Sequence, residues 1–93
     1  MAYLFIQYAV RDYPTWKTIF DGFFGVRQAA GEKSCKIFHP DDDPNNLLLL
    51  LEWDSLANAR IFMANPALKE AMSETLLDPP RIYFLERYDQ GRR

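Results

Sequence analysis

An α+β fold with the element order β-α-β-β-α-β is predicted by three features of the 93-residue sequence. Four segments rich in aromatic, leucine and β-branched residues are separated by two stretches of helical periodicity and one polar turn. Proline, aspartate, asparagine and glycine punctuate the joins. Residues 47–51 are five consecutive leucines, apolar on both sides, as suits a strand at the centre of a sheet.

The first strand is expected over residues 2–10, "AYLFIQYAV", where only Gln7 interrupts the apolar character. "RDYP" stops it. Asp12 can cap a helix whose first turn tolerates Pro14. Trp16, Ile19, Phe20, Phe23, Val26 and Ala30 then recur at helical spacing, and Gly31 ends the run. Residues 33–39, "KSCKIFH", read as a second, more polar strand, and "PDDDPNN" as a turn. The leucine run is the third strand. "DS" at 54–55 caps a helix beginning near Leu56, and "NP" at 65–66 interrupts it because a residue before proline avoids helical geometry. Asn65 can cap a further stretch carrying Leu68, Ala71, Met72 and Leu76 on one face. "DPP" closes that stretch, residues 81–88, "RIYFLERY", form the fourth strand, and the tail "DQGRR" is expected to fray.

With right-handed crossovers this order gives one ferredoxin-like domain over residues 1–93. Its four-stranded antiparallel sheet has strand order 4-1-3-2, with the helices on one face. Along the third strand Leu47, Leu49, Leu51 and Trp53 point one way, and Leu48, Leu50 and Glu52 the other. The helices cover only one of these faces. Burying a leucine is worth roughly 1.5–3 kcal/mol, so the second face carries a large drive to associate. A two-fold homodimer with sheets packed face to face is the expected solution.

A net charge of −2, with scattered charges, argues against nucleic-acid binding, which needs a basic stripe. A lone cysteine, Cys35, excludes an intramolecular disulfide and makes a cysteine-based metal site unexpected. No apolar run reaches the ~18 residues of a membrane span, and the N-terminal segment has no signal-peptide pattern, so a cytoplasmic protein is expected. "DDDPNN" lacks the spacing of a calcium loop, and no metal site is expected.

"DYPTWKTIFDGFFGVRQAAG", "IFHPDDDPNNLLLLLEWDSLANARIFMANPALKEAM" and "PPRIYFLERY" together resemble the dimeric α+β barrel proteins. Within them, the match is to the small proteins described as antibiotic-biosynthesis-monooxygenase-like. The resemblance covers nearly the whole chain. It implies a homodimer, a ligand cavity between sheet and helices, and a cofactor-independent monooxygenase acting on a small aromatic or polyketide-like compound. Haem-degrading relatives bind iron through a histidine on the second helical region. Residues 55–77 contain none, so no haem, and no other cofactor, is expected.

Candidate residues each have two readings. Arg27 falls within the stripe of Trp16, Phe20, Phe23 and Ala30, so it either anchors an oxygenated or anionic ligand or pairs with a strand carboxylate such as Glu52 or Glu86. His39, the only histidine, is either a general base removing a phenolic proton or a solvated residue beside an acidic turn. Trp16 and Trp53, with Phe23 and Phe62, wall a flat ligand or pack the core. Gln7 and Tyr83 orient a ligand or sit in an interface. Two functions follow: an oxygenase with His39 and Arg27 as its catalytic residues, or a non-catalytic dimer that binds a hydrophobic ligand or serves as an interaction module. Free space between sheet and helices separates these readings from a core filled by Phe20, Phe23, Phe62 and Met63.

Overall fold

The computed structural model describes residues 2–89 and Gly91. The elements are β1 (Ala2–Ala9), α1 (Tyr13–Gly22), α2 (Phe24–Ala30), β2 (Glu32–Phe38), β3 (Asn46–Trp53), α3 (Leu56–Met63), α4 (Pro66–Ser73) and β4 (Arg81–Glu86). The strands form one antiparallel sheet in the order β2-β3-β1-β4, the ferredoxin-like arrangement expected from the sequence. The molecule's shortest dimension is 20 Å, about the thickness of one sheet and one helical layer. Of the tail expected to fray, Gln90, Arg92 and Arg93 lie outside the described residues.

Capping sets the helix starts. The Asp12 carboxylate accepts from the Thr15 amide at 3.1 Å, Ser55 Oγ from Asn58 at 3.1 Å, and Asn65 Oδ1 from Ala67 at 2.9 Å. Each satisfies an amide that a helix N-terminus leaves open. The first helical arm departs from its expected single run. It breaks at Phe23, whose φ of −91° and ψ of 3° leave the helical region. The break shifts the phase of the stripe, leaving Val26 exposed while Arg27 turns inward and is buried. Gly31 ends α2 at φ 126°. The acidic segment forms a turn in which Asn45 N–H donates to the Asp43 carboxylate at 3.2 Å.

Strand boundaries shift by a residue or two. Val10 makes an isolated bridge to Leu76 instead of extending β1, and α4 stops at Ser73, short of Leu76. β2 begins at Glu32 and ends before His39. A register irregularity between Glu32 and Ser34 places Glu32 opposite Trp53 and Ser34 opposite Glu52. This bulge turns the Glu32 side chain toward the helices.

Strand alternation then sorts the two faces. Ala2, Leu4, Ile6 and Tyr8 of β1 and Leu47, Leu49, Leu51 and Trp53 of β3 are buried under the helices. The register aligns three cross-strand rows on the other face: Lys36–Leu50–Phe5–Tyr83, Phe38–Leu48–Gln7–Arg81 and Ser34–Glu52–Tyr3–Leu85. Phe38, Tyr83 and Leu85 are exposed there, and the Phe5 and Tyr83 rings meet at 6.1 Å.

Candidate functional site

Between the sheet and the helical arms lies a cavity of about 320 Å³. That volume sits at the lower end of the ~300–1,000 Å³ range of small-molecule sites. Leu4, Ile6, Leu49, Leu51 and Ile82 form its sheet wall. Phe20, Phe23, Phe62, Leu68 and Met72 form its helical wall. The aromatics thus line the space without filling it. The cavity exists because the helices stand over leucine and isoleucine, while the larger Trp16 and Trp53 are packed at 0% exposure elsewhere in the core. Its wall includes few polar side chains: Tyr8, Arg27, Lys69 and Ser73.

Arg27 is 3% exposed and its guanidinium is held on three sides. Nε donates to Glu32 Oε2 at 2.9 Å, Nη1 donates to the Phe20 carbonyl, and Cζ lies 3.8 Å from the centroid of the Phe20 ring. Its ion-pair partner is Glu32, not Glu52 or Glu86. The bulge delivers Glu32 to the helix side, Glu52 faces away toward Ser34 at 3.3 Å, and Glu86 is exposed at the end of β4. Burial raises the Glu32 carboxyl above its ordinary range, against the lowering by the Arg27 charge and its hydrogen bond. The remaining Arg27 N–H groups donate to no acceptor among the described residues.

Tyr8 is the polar group that sequence reading missed. It is 8% exposed, and its oxygen accepts from Trp16 Nε1 at 2.7 Å. The Tyr8 hydroxyl hydrogen has no acceptor among the described residues. Burial raises its pKa well above the ordinary phenol value, against the lowering by the Trp16 hydrogen bond, so it remains protonated. Trp16 is fixed in turn by stacking on Phe20, with centroids 4.7 Å apart and planes 19° apart. Strand alternation already puts Tyr8 on the face of Leu4 and Ile6, opposite Gln7. The missing information was which face the helices cover.

The structure brings Arg27, Phe23 and Phe62 together around the cavity. Trp16 stands behind Phe20 and Tyr8, and Trp53 packs against Phe62 at 5.4 Å. Trp53 Nε1 is buried without a hydrogen-bond partner among the described residues. Gln7 and Tyr83 lie on the opposite sheet face. His39 is exposed just past β2, with its Nδ1 beside the Pro40 carbonyl, and does not line the cavity. Cys35 is partly buried. Burial first, and the Glu32 charge second, push its thiol up to about 11, so it stays neutral near pH ~7. No group of three or more His, Cys, Asp or Glu side chains among the described residues is arranged to hold a metal ion. No helix among them is long and apolar enough to cross a membrane.

No protein-family model and no curated protein matches the sequence. Solved structures match over nearly the full length. SnoaB, described as a cofactor-independent oxygenase from Streptomyces nogalater, superimposes with a TM-score of 0.74 at 11% identity, covering 98% of this chain and 97% of that one. Rv0793 from Mycobacterium tuberculosis gives 0.71 at 15% identity, covering 98% of each chain. A protein described as an antibiotic biosynthesis monooxygenase gives 0.70 at 13% identity, covering 96% of this chain and 100% of that one. The chain therefore has the fold of antibiotic-biosynthesis-monooxygenase-like proteins, as its sequence resemblance implied.

Proposed function

We propose that the chain is a small oxygenase that binds a flat, mostly apolar aromatic compound in the sheet–helix cavity. In this reading it uses dioxygen without a cofactor and works as a homodimer. The observation that carries the reading is the cavity itself: about 320 Å³ of apolar-walled space with a buried cation and a phenol at its wall. The fold shared with a described cofactor-independent oxygenase supports the choice of reaction.

The chemistry suits an anthrone-type substrate, whose ring-flanked methylene is acidified by a ketone. Loss of one proton gives an enolate. The enolate passes one electron to dioxygen, the two radicals combine at carbon as a peroxide anion, and this takes a proton from water to give the hydroperoxide. Loss of water leaves a new carbonyl: one oxygen atom enters the product, and the other departs as water with the two methylene hydrogens. The protein's part is to hold the rings and to stabilise negative charge as it develops. The Arg27 guanidinium supplies the positive charge that does this, and Glu32 with the Phe20 carbonyl keeps it at the wall. Among the described residues the wall includes no imidazole or carboxylate, so the proton passes to water at the cavity mouth. His39 has no role in this reading.

The homodimer is supported by the open sheet face. Phe5, Leu48, Leu50, Phe38, Tyr83 and Leu85 there have no covering layer among the described residues. Gln7 and Tyr83 then become interface residues rather than ligand contacts.

Oxygen uptake with anthrone under air tests the reaction. Wild type and His39→Ala are expected to consume oxygen at equal rates, and Arg27→Met at a rate at least tenfold lower. No uptake by wild type above the protein-free rate removes the oxygenase reading. A cavity wall without an imidazole or carboxylate among the described residues favours the second reading, a dimer that only binds such compounds; binding without turnover would select it.

A further inference from the structure

We infer that the cavity selects an uncharged ketone, whose carbonyl oxygen accepts a hydrogen bond from the Tyr8 hydroxyl. This rests on the ligand-cavity reading above and adds the ligand's polarity and the residue that recognises it.

Three observations carry the inference. First, the Tyr8 hydroxyl has a hydrogen to give and no acceptor among the described residues, although its side chain is buried at the cavity wall. A buried donor left unmade is costly, and a ligand oxygen in the cavity relieves that cost. Second, the Tyr8 oxygen already accepts from Trp16 Nε1 at 2.7 Å. That bond fixes the ring and fills one lone pair. It also draws electron density from the phenol, making its O–H a better donor. Tyr8 is thus arranged to give a hydrogen bond, and its raised pKa keeps the proton in place through neutral and moderately alkaline conditions.

Third, the buried cation is already neutralised. Arg27 and Glu32 form a pair at 2.9 Å with both side chains nearly inaccessible, so the cation buried at the wall is already compensated, and the other cation of the lining, Lys69, is exposed on the solvent side. Bringing a carboxylate out of water into an apolar-walled cavity is unfavourable without an uncompensated partner. A neutral carbonyl has a much smaller desolvation cost, and the Tyr8 donor offsets it. Negative charge that develops on the same oxygen during reaction is met locally, with no need for a preformed anion to bind. Lys69 and Ser73 complete the polar lining; both are exposed on α4 and so lie at the solvent side.

Three probes of one shape test this by titration calorimetry on the full chain: α-tetralone, the hydrocarbon tetralin, and tetralin carboxylate. Wild type is expected to bind α-tetralone about tenfold tighter than the carboxylate. Tyr8→Phe is expected to weaken α-tetralone roughly five- to tenfold and leave tetralin, which takes no hydrogen bond from the hydroxyl, unchanged. The infrared carbonyl stretch of bound α-tetralone supplies a readout that needs no variant. It is expected to fall below its value in hydrocarbon solvent, as a hydrogen-bonded ketone does, and to return toward that value in Tyr8→Phe. A carboxylate that binds as tightly as the ketone overturns the inference. So does an unshifted carbonyl band in wild type, or an unchanged ketone-to-tetralin affinity ratio in Tyr8→Phe. Tetralin binding with no ketone preference removes only this inference. Failure of all three probes to bind removes the ligand-cavity reading as well.

Discussion

Arg27 and Glu32 show how a buried ion pair contributes more to placement than to net stability. Burial of both partners at 2.9 Å sets desolvation against attraction, and the raised Glu32 pKa marks desolvation as the larger influence on that carboxyl. Breaking the pair is costly even so. Arg27→Met leaves a buried carboxylate without its cation and is expected to cost about 3–5 kcal/mol in urea unfolding near pH 7. Because the folded Glu32 pKa is raised, its contribution to stability is full below the ordinary value of 4.5 and is lost as pH rises through the folded value. The deficit of Arg27→Met against wild type is therefore expected to shrink near about pH 4, where the carboxyl is protonated. A deficit that is constant between the two conditions contradicts the pairing. Cys35 gives a second pH signature with the same sign. Its thiol rises from 9.0 to about 11 in the folded protein, so the wild-type Tm is expected to fall across that window more steeply than that of Cys35→Ala. Parallel Tm curves would show that burial does not control the thiol.

At the scale of elements, the loop from α2 into β2 carries the most consequence. Gly31 at φ 126° ends the helix, and a Cβ there would lie 2.4 Å from Asp54 Oδ1. The Asp54 carboxylate also accepts from Asn58 Nδ2 at 3.0 Å, so moving it aside disturbs the start of α3. Gly31→Ala is expected to lower stability by about 1–3 kcal/mol through backbone strain and this contact. An unchanged urea midpoint would mean that the loop accommodates both. The same loop limits what the sequence discloses. Gly31 as a stop, Asn65 as a cap and the alternating leucines were legible, because each acts through local rules of dihedral angle, capping and strand period. The bulge that turns Glu32 inward was not, because simple alternation gives Glu32 and Ser34 the same face. The strand carboxylates expected for Arg27 do not reach it: Glu52 lies on the other sheet face and Glu86 is exposed at the end of β4. The break at Phe23 was likewise hidden, since Trp16 through Ala30 fit one continuous helical stripe.

For the whole molecule, element order gave the sheet topology correctly, since few arrangements of four strands and right-handed crossovers remain once the elements are known. The site was less legible. A cavity depends on how closely the helices approach the sheet and on which strand face they cover, and neither follows from one chain's periodicity. Helical phase points Phe23 and Arg27 toward the sheet, and both line the cavity. Gln7 and Tyr83 are polar groups on apolar strands, a property that does not distinguish the two faces. The chemistry of His39 carries no information about its position, which is exposed beside Pro40.

The proposed homodimer is the broadest claim: two copies meeting on the open sheet face would shelter the leucines on both sides of β3. Light scattering at micromolar concentration tests this directly. The predicted mass is twice the 10.9 kDa of one chain, with Leu50→Lys shifting the protein toward single-chain mass by placing a charge in the central row of the open face. A stable 10.9 kDa species for the wild type at that concentration would contradict it.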